Sequence, residues 1–202
     1  MKIIVDILMF IILILEFSKA YLSNFVHEVL GILLVALIII HLILNRNYIK
    51  VIFKGKYNLS RIIMLVVNAL FFISMITTII LGICISQSLF TNISTFNSQI
   101  SKLHIILSSA SLIILGLHLG INLKTILAKM KIFKNKYVSI IVGLLMSGYG
   151  IYSIFNVEFL NHIRGQVVFA SYDSNVLIGF LGYASIVLFI SIITHNIYKY
   201  CK

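Results

Sequence analysis

The chain has 202 residues, of which 61% are hydrophobic and 10% charged, with a mean hydropathy of +1.13. Soluble domains average roughly 25% charged residues, so too few polar side chains exist here to cover a water-facing surface. The net charge of +11 would suit nucleic acid, but no nucleic-acid partner is expected, because the basic residues gather in loops between apolar runs, where they meet water and lipid headgroups.

In chain order the apolar runs are Ile3–Leu15, Phe25–Leu44, Ile62–Ile85, Leu103–Leu123, Val138–Phe155 and Val176–Ile193. About 20 mainly apolar helical residues cross a hydrocarbon core of roughly 30 Å, and an open strand edge cannot be satisfied in lipid. The expected fold is therefore all-α, a polytopic membrane helical bundle of about six transmembrane helices in one domain, 1–202. The first run is the weakest, because Asp6 and Glu16 interrupt or end it. Lys2, that run and Ser18-Lys19-Ala20 resemble a signal peptide, yet the two acids spoil it, and a retained first helix is expected. The chain contains no proline. Straight helices follow, which counts against a transporter built on broken ones.

Basic residues fall unevenly between the two ends of the runs. Arg46, Lys50, Lys54, Lys56, Arg61, Lys124, Lys129, Lys131, Lys134 and Lys136 sit in the second and fourth loops, and Lys2, Lys199 and Lys202 share their side. Lys19, Lys102 and Arg164 occupy the other. The positive-inside rule makes the heavier side, with both termini, cytoplasmic. Cys84 and Cys201 fall at opposite ends and cannot bridge each other. No C-x-x-C-H motif for covalent haem attachment occurs.

An internal repeat relates 25–59 to 102–136. His27, His41 and Asn45 match His104, His118 and Asn122 at an offset of 77 residues, each copy reading H-x13-H-x3-N, with Lys54 opposite Lys131. Fourteen residues place two rings within about 40° on one helix face and about 21 Å apart along the axis. The two helices run in the same direction, so His27 is expected to face His104 near the outer side and His41 to face His118 near the inner side. Paired imidazoles from neighbouring helices are the axial ligation of a six-coordinate haem, a geometry for electron transfer. A single intramembrane histidine is more often a hydrogen-bond partner; the repeated spacing is what favours ligation. Zinc or copper is disfavoured, since each site offers two histidines rather than the four ligands of a structural zinc site. Two haem b groups, ligated by His27, His41, His104 and His118, are expected.

Gly31 and Ser108, each four residues past a histidine, are candidate cofactor-binding positions because a flat macrocycle needs room. Ser109, Ala110, Ser111, Gly116 and Gly120 extend the small face of the fourth run. Close helix packing explains small residues equally well, and both readings stand. His162 and His195 have no partner at the diagnostic spacing and read as interfacial. Arg164, Arg46 and Arg61 suit haem propionates or simple solvation. For Asp6, Glu16 and Glu28, a quinone-linked site or a bond orienting a ligand histidine is weighed against a neutral intramembrane acid, and the neutral acid is preferred. Tyr149 and Tyr152 read as an aromatic belt.

The H-x13-H-x3-N pattern of His27–Asn45 and His104–Asn122 resembles a bacterial family, the flavinylation-associated cytochromes. Gly148-Tyr149-Gly150-Ile151-Tyr152-Ser153-Ile154-Phe155, the loop to Tyr172-Asp173 and a final apolar helix resemble that family's C-terminal half. The histidine spacing is shared with other dihaem membrane cytochromes b. The chain departs from the family at Asn156-Val157-Glu158, where a basic stretch would be expected. The resemblance implies a dihaem cytochrome b of the bacterial cytoplasmic membrane, with a four-helix haem-binding core. It also implies an extracytoplasmic partner carrying covalent FMN, and quinone is a further possible partner. The function expected is transmembrane electron transfer. The alternatives are a terminal ferric or metal reductase, for which the usual cytosolic flavin domain is lacking, and a non-redox transporter or assembly subunit.

Overall fold

The computed structural model describes residues 2–52, 54–95, 97–129, 135–157, 159–166 and 175–201. Sequence expectations on Lys131, Lys134, Glu158, Tyr172, Asp173 and Lys202 lie outside them. Eight helices are seen among the described residues: α1 (Lys2–Phe17), α2 (Asn24–Leu44), α3 (Arg46–Val51), α4 (Leu59–Cys84), α5 (Ser98–Lys129), α6 (Lys136–Asn156), α7 (Phe159–Ile163) and α8 (Val176–Tyr198). No strand occurs among the described residues.

Each long helix after α1 begins where a short polar side chain can take an orphan backbone N–H. Ser23 accepts from Val26 N, Asn58 from Arg61 N, Asn97 from Gln99 N, Asn135 from Tyr137 N and Asn175 from Leu177 N. Five stretches are long and apolar enough to cross a membrane: Asn24–Leu44, Leu59–Cys84, Ser98–Ala128, Tyr137–Asn156 and Val176–Cys201. The first apolar run forms a helix as expected, but its 16 residues extend only about 24 Å, short of a full crossing. It is instead a packed strut, burying Val5, Ile12, Leu13 and Ile14 against α2 and α8. Lys2 Nζ donates to Asn45 Oδ1 at 3.4 Å, so the start of α1 meets the end of α2 and the two form an antiparallel hairpin.

The bundle is organised around α8, which packs against α1, α5 and α6, while α4 packs on α5. Glycines set these approaches. A Cβ on Gly120 would stand 2.6 Å from Ser191 O, one on Gly116 would stand 2.7 Å from Ile190 Cβ, and one on Gly150 would stand 2.6 Å from Ser185 O. The small residues Gly116 and Gly120 therefore serve close packing of α5 on α8. Helix geometry puts them about 140–180° round from the histidine face. The core gathers Leu34, Leu37, Met75, Leu112 and Leu115 with the α1 and α8 residues.

The two repeat copies differ in shape. In both, the asparagine of H-x3-N returns a bond to the histidine carbonyl: Asn45 Nδ2 to His41 O at 3.0 Å and Asn122 Nδ2 to His118 O at 2.9 Å. Nevertheless α2 stops at Leu44 and the chain turns into α3, whereas α5 continues to Lys129. The shared bond thus does not decide where the helix ends.

Candidate functional site

The histidines of the repeat stand at two levels. At the outer level the His27 and His104 rings lie 6.4 Å apart, centre to centre, and are almost perpendicular at 85°. His104 Nδ1 lies 3.0 Å from Thr78 O. A carbonyl can only accept, so the proton sits on Nδ1 and Nε2 keeps its lone pair. His27 Nδ1 lies 2.9 Å from Glu16 Oε2, close but off the line of a hydrogen bond. Gly82 of α4 makes room for this pair, since a Cβ there would come within 3.2 Å of His104 Cε1.

At the inner level His41 Nδ1 bonds Asp6 Oδ1 at 2.8 Å, and His118 Nδ1 bonds Asn68 Oδ1 at 2.8 Å. The His118 ring stacks on Phe71 at 5.5 Å. Asn68 Nδ2 donates in turn to Tyr48 Oη at 2.9 Å.

One rule covers all four rings: Nδ1 faces an acceptor. The α2 histidines face carboxylates from α1, and the α5 histidines face neutral oxygens from α4. For His41, His104 and His118 the partner is hydrogen-bonded and fixes tautomer and ring orientation, as around a metal-binding imidazole. Asp6 and Glu16, read from sequence as neutral acids in lipid, are thus placed beside the histidines. Sequence reasoning gave no role to Asn68, Thr78 and Gly82.

Glu28 does something else. Its carboxylate accepts from Ser86 Oγ at 2.8 Å and from the backbone N–H groups of Gln87, Ser88 and Leu89 at 2.8, 3.0 and 2.6 Å. Asn24 Nδ2 adds a bond to Gln87 Oε1 at 2.6 Å. The outer end of α2 is therefore clamped to the loop after α4. Nearby, burial draws the Lys19 ammonium below its ordinary range, opposed by the charges of Glu16 and Glu28.

The clamp matters because α2 packs along α1 but makes no extended contact with α4 or α5. An apolar cleft of about 310 Å³ separates α2 from α4, lined among others by Val35, Ile38 and Leu42 on one side and Phe72, Met75 and Ile79 on the other. Gly31 opens the same side of α2, where an added Cβ would meet only Glu16 Oε2 at 4.0 Å. Ser108 is half-buried with its hydroxyl spent on Ile105 O at 2.8 Å.

The remaining candidates lie elsewhere. His162 stacks on Tyr183 at 6.3 Å, with 3.1 Å between Tyr183 Oη and His162 Nδ1. His195 Nδ1 is buried with no partner among the described residues. Arg61 is consumed by backbone carbonyls, including Val51 O at 2.6 Å and Ile52 O at 3.0 Å, so it is not free for a propionate. Tyr149 and Tyr152 stack on each other at 6.0 Å. Cys84 and Cys201 are free thiols.

Among the described residues no group of three or more His, Cys, Asp or Glu is arranged to hold a bare metal ion. The α2 and α5 histidines offer one close pair instead, His27 and His104. Two imidazoles binding one metal from opposite sides, through bonds of about 2.0–2.1 Å, have ring centres roughly 6 Å apart. The His27–His104 separation of 6.4 Å fits that spacing. Comparison with protein-family models, curated proteins and solved structures finds no match to this chain.

Proposed function

We propose that this chain is a multi-pass membrane protein that carries electrons across the bilayer through two b-type haems. His27 and His104 would hold the outer haem, and His41 and His118 the inner one. The observation that carries the reading is the shared setting of the four rings, each Nδ1 within 3.0 Å of an oxygen, together with the 6.4 Å separation of the His27 and His104 rings. When bound, haem supplies a one-electron couple with no open coordination position.

The chain's own residues do the rest. Asp6, Thr78 and Asn68 hold three of the rings by hydrogen bonds, and Glu16 stands 2.9 Å from the fourth. Gly82 clears space for His104, and the Glu28 clamp ties the outer end of α2 to the loop after α4. The basic ends of the spans are placed at the cytoplasmic face. On this reading the donor is a quinol or a cytoplasmic protein near His41 and His118. The acceptor is an extracytoplasmic flavoprotein near His27 and His104; the resemblance, not the geometry, supplies that direction.

Pyridine haemochrome analysis of protein expressed with excess haem tests this, with two haems b per chain expected. His41→Ala should remove the inner haem and leave the outer one. Retention of both would refute the pairing.

A further inference from the structure

The basic end of the bundle holds a second cleft, of about 240 Å³, between α3 and α4. Val51 and Ile52 line one side and Met64 and Leu65 the other, with Tyr48 and Lys54 among them. Arg61 ties the wall together, donating to Val51 O, Ile52 O, Lys54 O and Lys56 O at 2.6, 3.0, 2.5 and 3.1 Å. The same guanidinium lies 4.6 Å over the Tyr57 ring, whose hydroxyl donates to Ile52 O at 2.6 Å. Two polar groups of the lining stay uncommitted among the described residues. One is the Lys54 ammonium, and the other is the hydroxyl hydrogen of Tyr48, whose oxygen accepts from Asn68. Both are donors, so a ligand here must bring acceptor oxygens.

Charge and depth narrow its chemistry. Residues 46–65 carry Arg46, Lys50, Lys54, Lys56 and Arg61 and no acid. With Arg61 spent on carbonyls, four cations of the segment remain without a carboxylate to balance them. A net anion is favoured, because a zwitterionic headgroup would set its own ammonium against the same lysines. The 26 residues of α4 extend about 39 Å, longer than a hydrocarbon core of roughly 30 Å. The basic end of α4 therefore reaches the headgroup layer, and Met64 and Leu65 lie about 8 Å further in than Leu59. Cations at the rim and apolar side chains below follow the polarity order of a phospholipid.

We propose that the α3–α4 cleft is a site for one anionic phospholipid. Its phosphate pairs with Lys54, an ester carbonyl accepts from Tyr48, and an acyl chain runs along Met64 and Leu65. The wall fixed by Arg61 separates this site from the diffuse attraction of basic loops to a charged bilayer. The assignment is independent of the proposed electron-transfer function, since neither donor is one of the four histidines.

The test uses full-length protein in neutral detergent micelles, with a phosphatidylglycerol carrying a diazirine close to its glycerol as photoaffinity probe. The expected result is an adduct within residues 46–65. Unmodified phosphatidylglycerol should displace it at concentrations where phosphatidylcholine and glycerol 3-phosphate do not. Lys54→Ala should weaken displacement about fivefold, the worth of one lysine at an anionic lipid surface. Lys56→Ala removes the same charge outside the lining and should weaken it less. Met64→Trp, which fills the cleft, should abolish the adduct in protein whose helix content by circular dichroism is unchanged. Equal displacement by phosphatidylcholine would reduce the site to ordinary lipid contact, and equal displacement by glycerol 3-phosphate would make it a soluble phosphate site; either overturns the assignment. So does an adduct outside the segment, or equal losses in Lys54→Ala and Lys56→Ala, which would mean diffuse charge and no built site.

Discussion

An imidazole has two nitrogens, and what one of them touches decides what the other can do. In this chain the Nδ1 side of four rings is given to Glu16, Asp6, Thr78 and Asn68. Removing such a partner typically costs 10–100-fold in metal affinity. Asp6→Ala should therefore weaken haem binding at the inner level by about that factor and leave the outer level near normal, and Glu16→Ala should do the reverse. Haem titration of apoprotein, read by the Soret band, checks both. Equal losses at both levels in either variant would show that the acids act on folding rather than on their own histidines. Gly82→Leu should act at the outer level only, because it crowds His104 Cε1.

The acids also show what a sequence conceals at this scale. The position of Asp6 and Glu16 inside an apolar run is visible, and their cost in lipid argues for a function. Their partners depend on α1 folding back along α2, with Asp6 reaching His41 and Glu16 reaching His27. That requires the hairpin's register, which no local pattern states. Asn68 is less legible still, since nothing marks it among the other polar residues of α4.

At the scale of helices, two devices fix positions. Glycine on α5 and α6 lets α8 approach closely, and the Glu28 clamp fixes the outer end of α2 to the loop after α4. Gly120→Val would drive a side chain into the Ser191 carbonyl, which cannot move without shifting α8. Overpacking of this kind costs about 1–3 kcal/mol, and the melting temperature of the purified protein should fall. Haem per folded chain should hold, because Gly120 lies opposite the histidine face. Glu28→Ala should release the outer end of α2 from Ser86, Gln87, Ser88 and Leu89 and lower outer-haem retention before inner. The face of Gly116 and Gly120 follows from 100° per residue; that it serves packing does not, because only the fold brings α8 against it. The Glu28 clamp was not readable, because its partners are one loop hydroxyl and three loop backbone groups brought in from 58–61 residues away.

At the scale of the molecule, hydropathy located every long helix, and only α1 differs in kind, being a strut too short for a full crossing. Its brevity was foreshadowed by the two acids in its run. The charge asymmetry makes a topological prediction: cysteines introduced at Lys56 and at Ser88 should be labelled by impermeant maleimide from opposite faces of sealed vesicles. Labelling at Lys56 from the outer face and at Ser88 from the inner would invert the bundle, and labelling of both from one face would show that α4 does not cross. The central claim concerns the four histidines acting as two pairs, and haem quantitation of the purified, haem-saturated protein tests it most directly. The account predicts two non-covalent haems b per chain with a low-spin absorption spectrum; well-folded protein without a Soret band would contradict it.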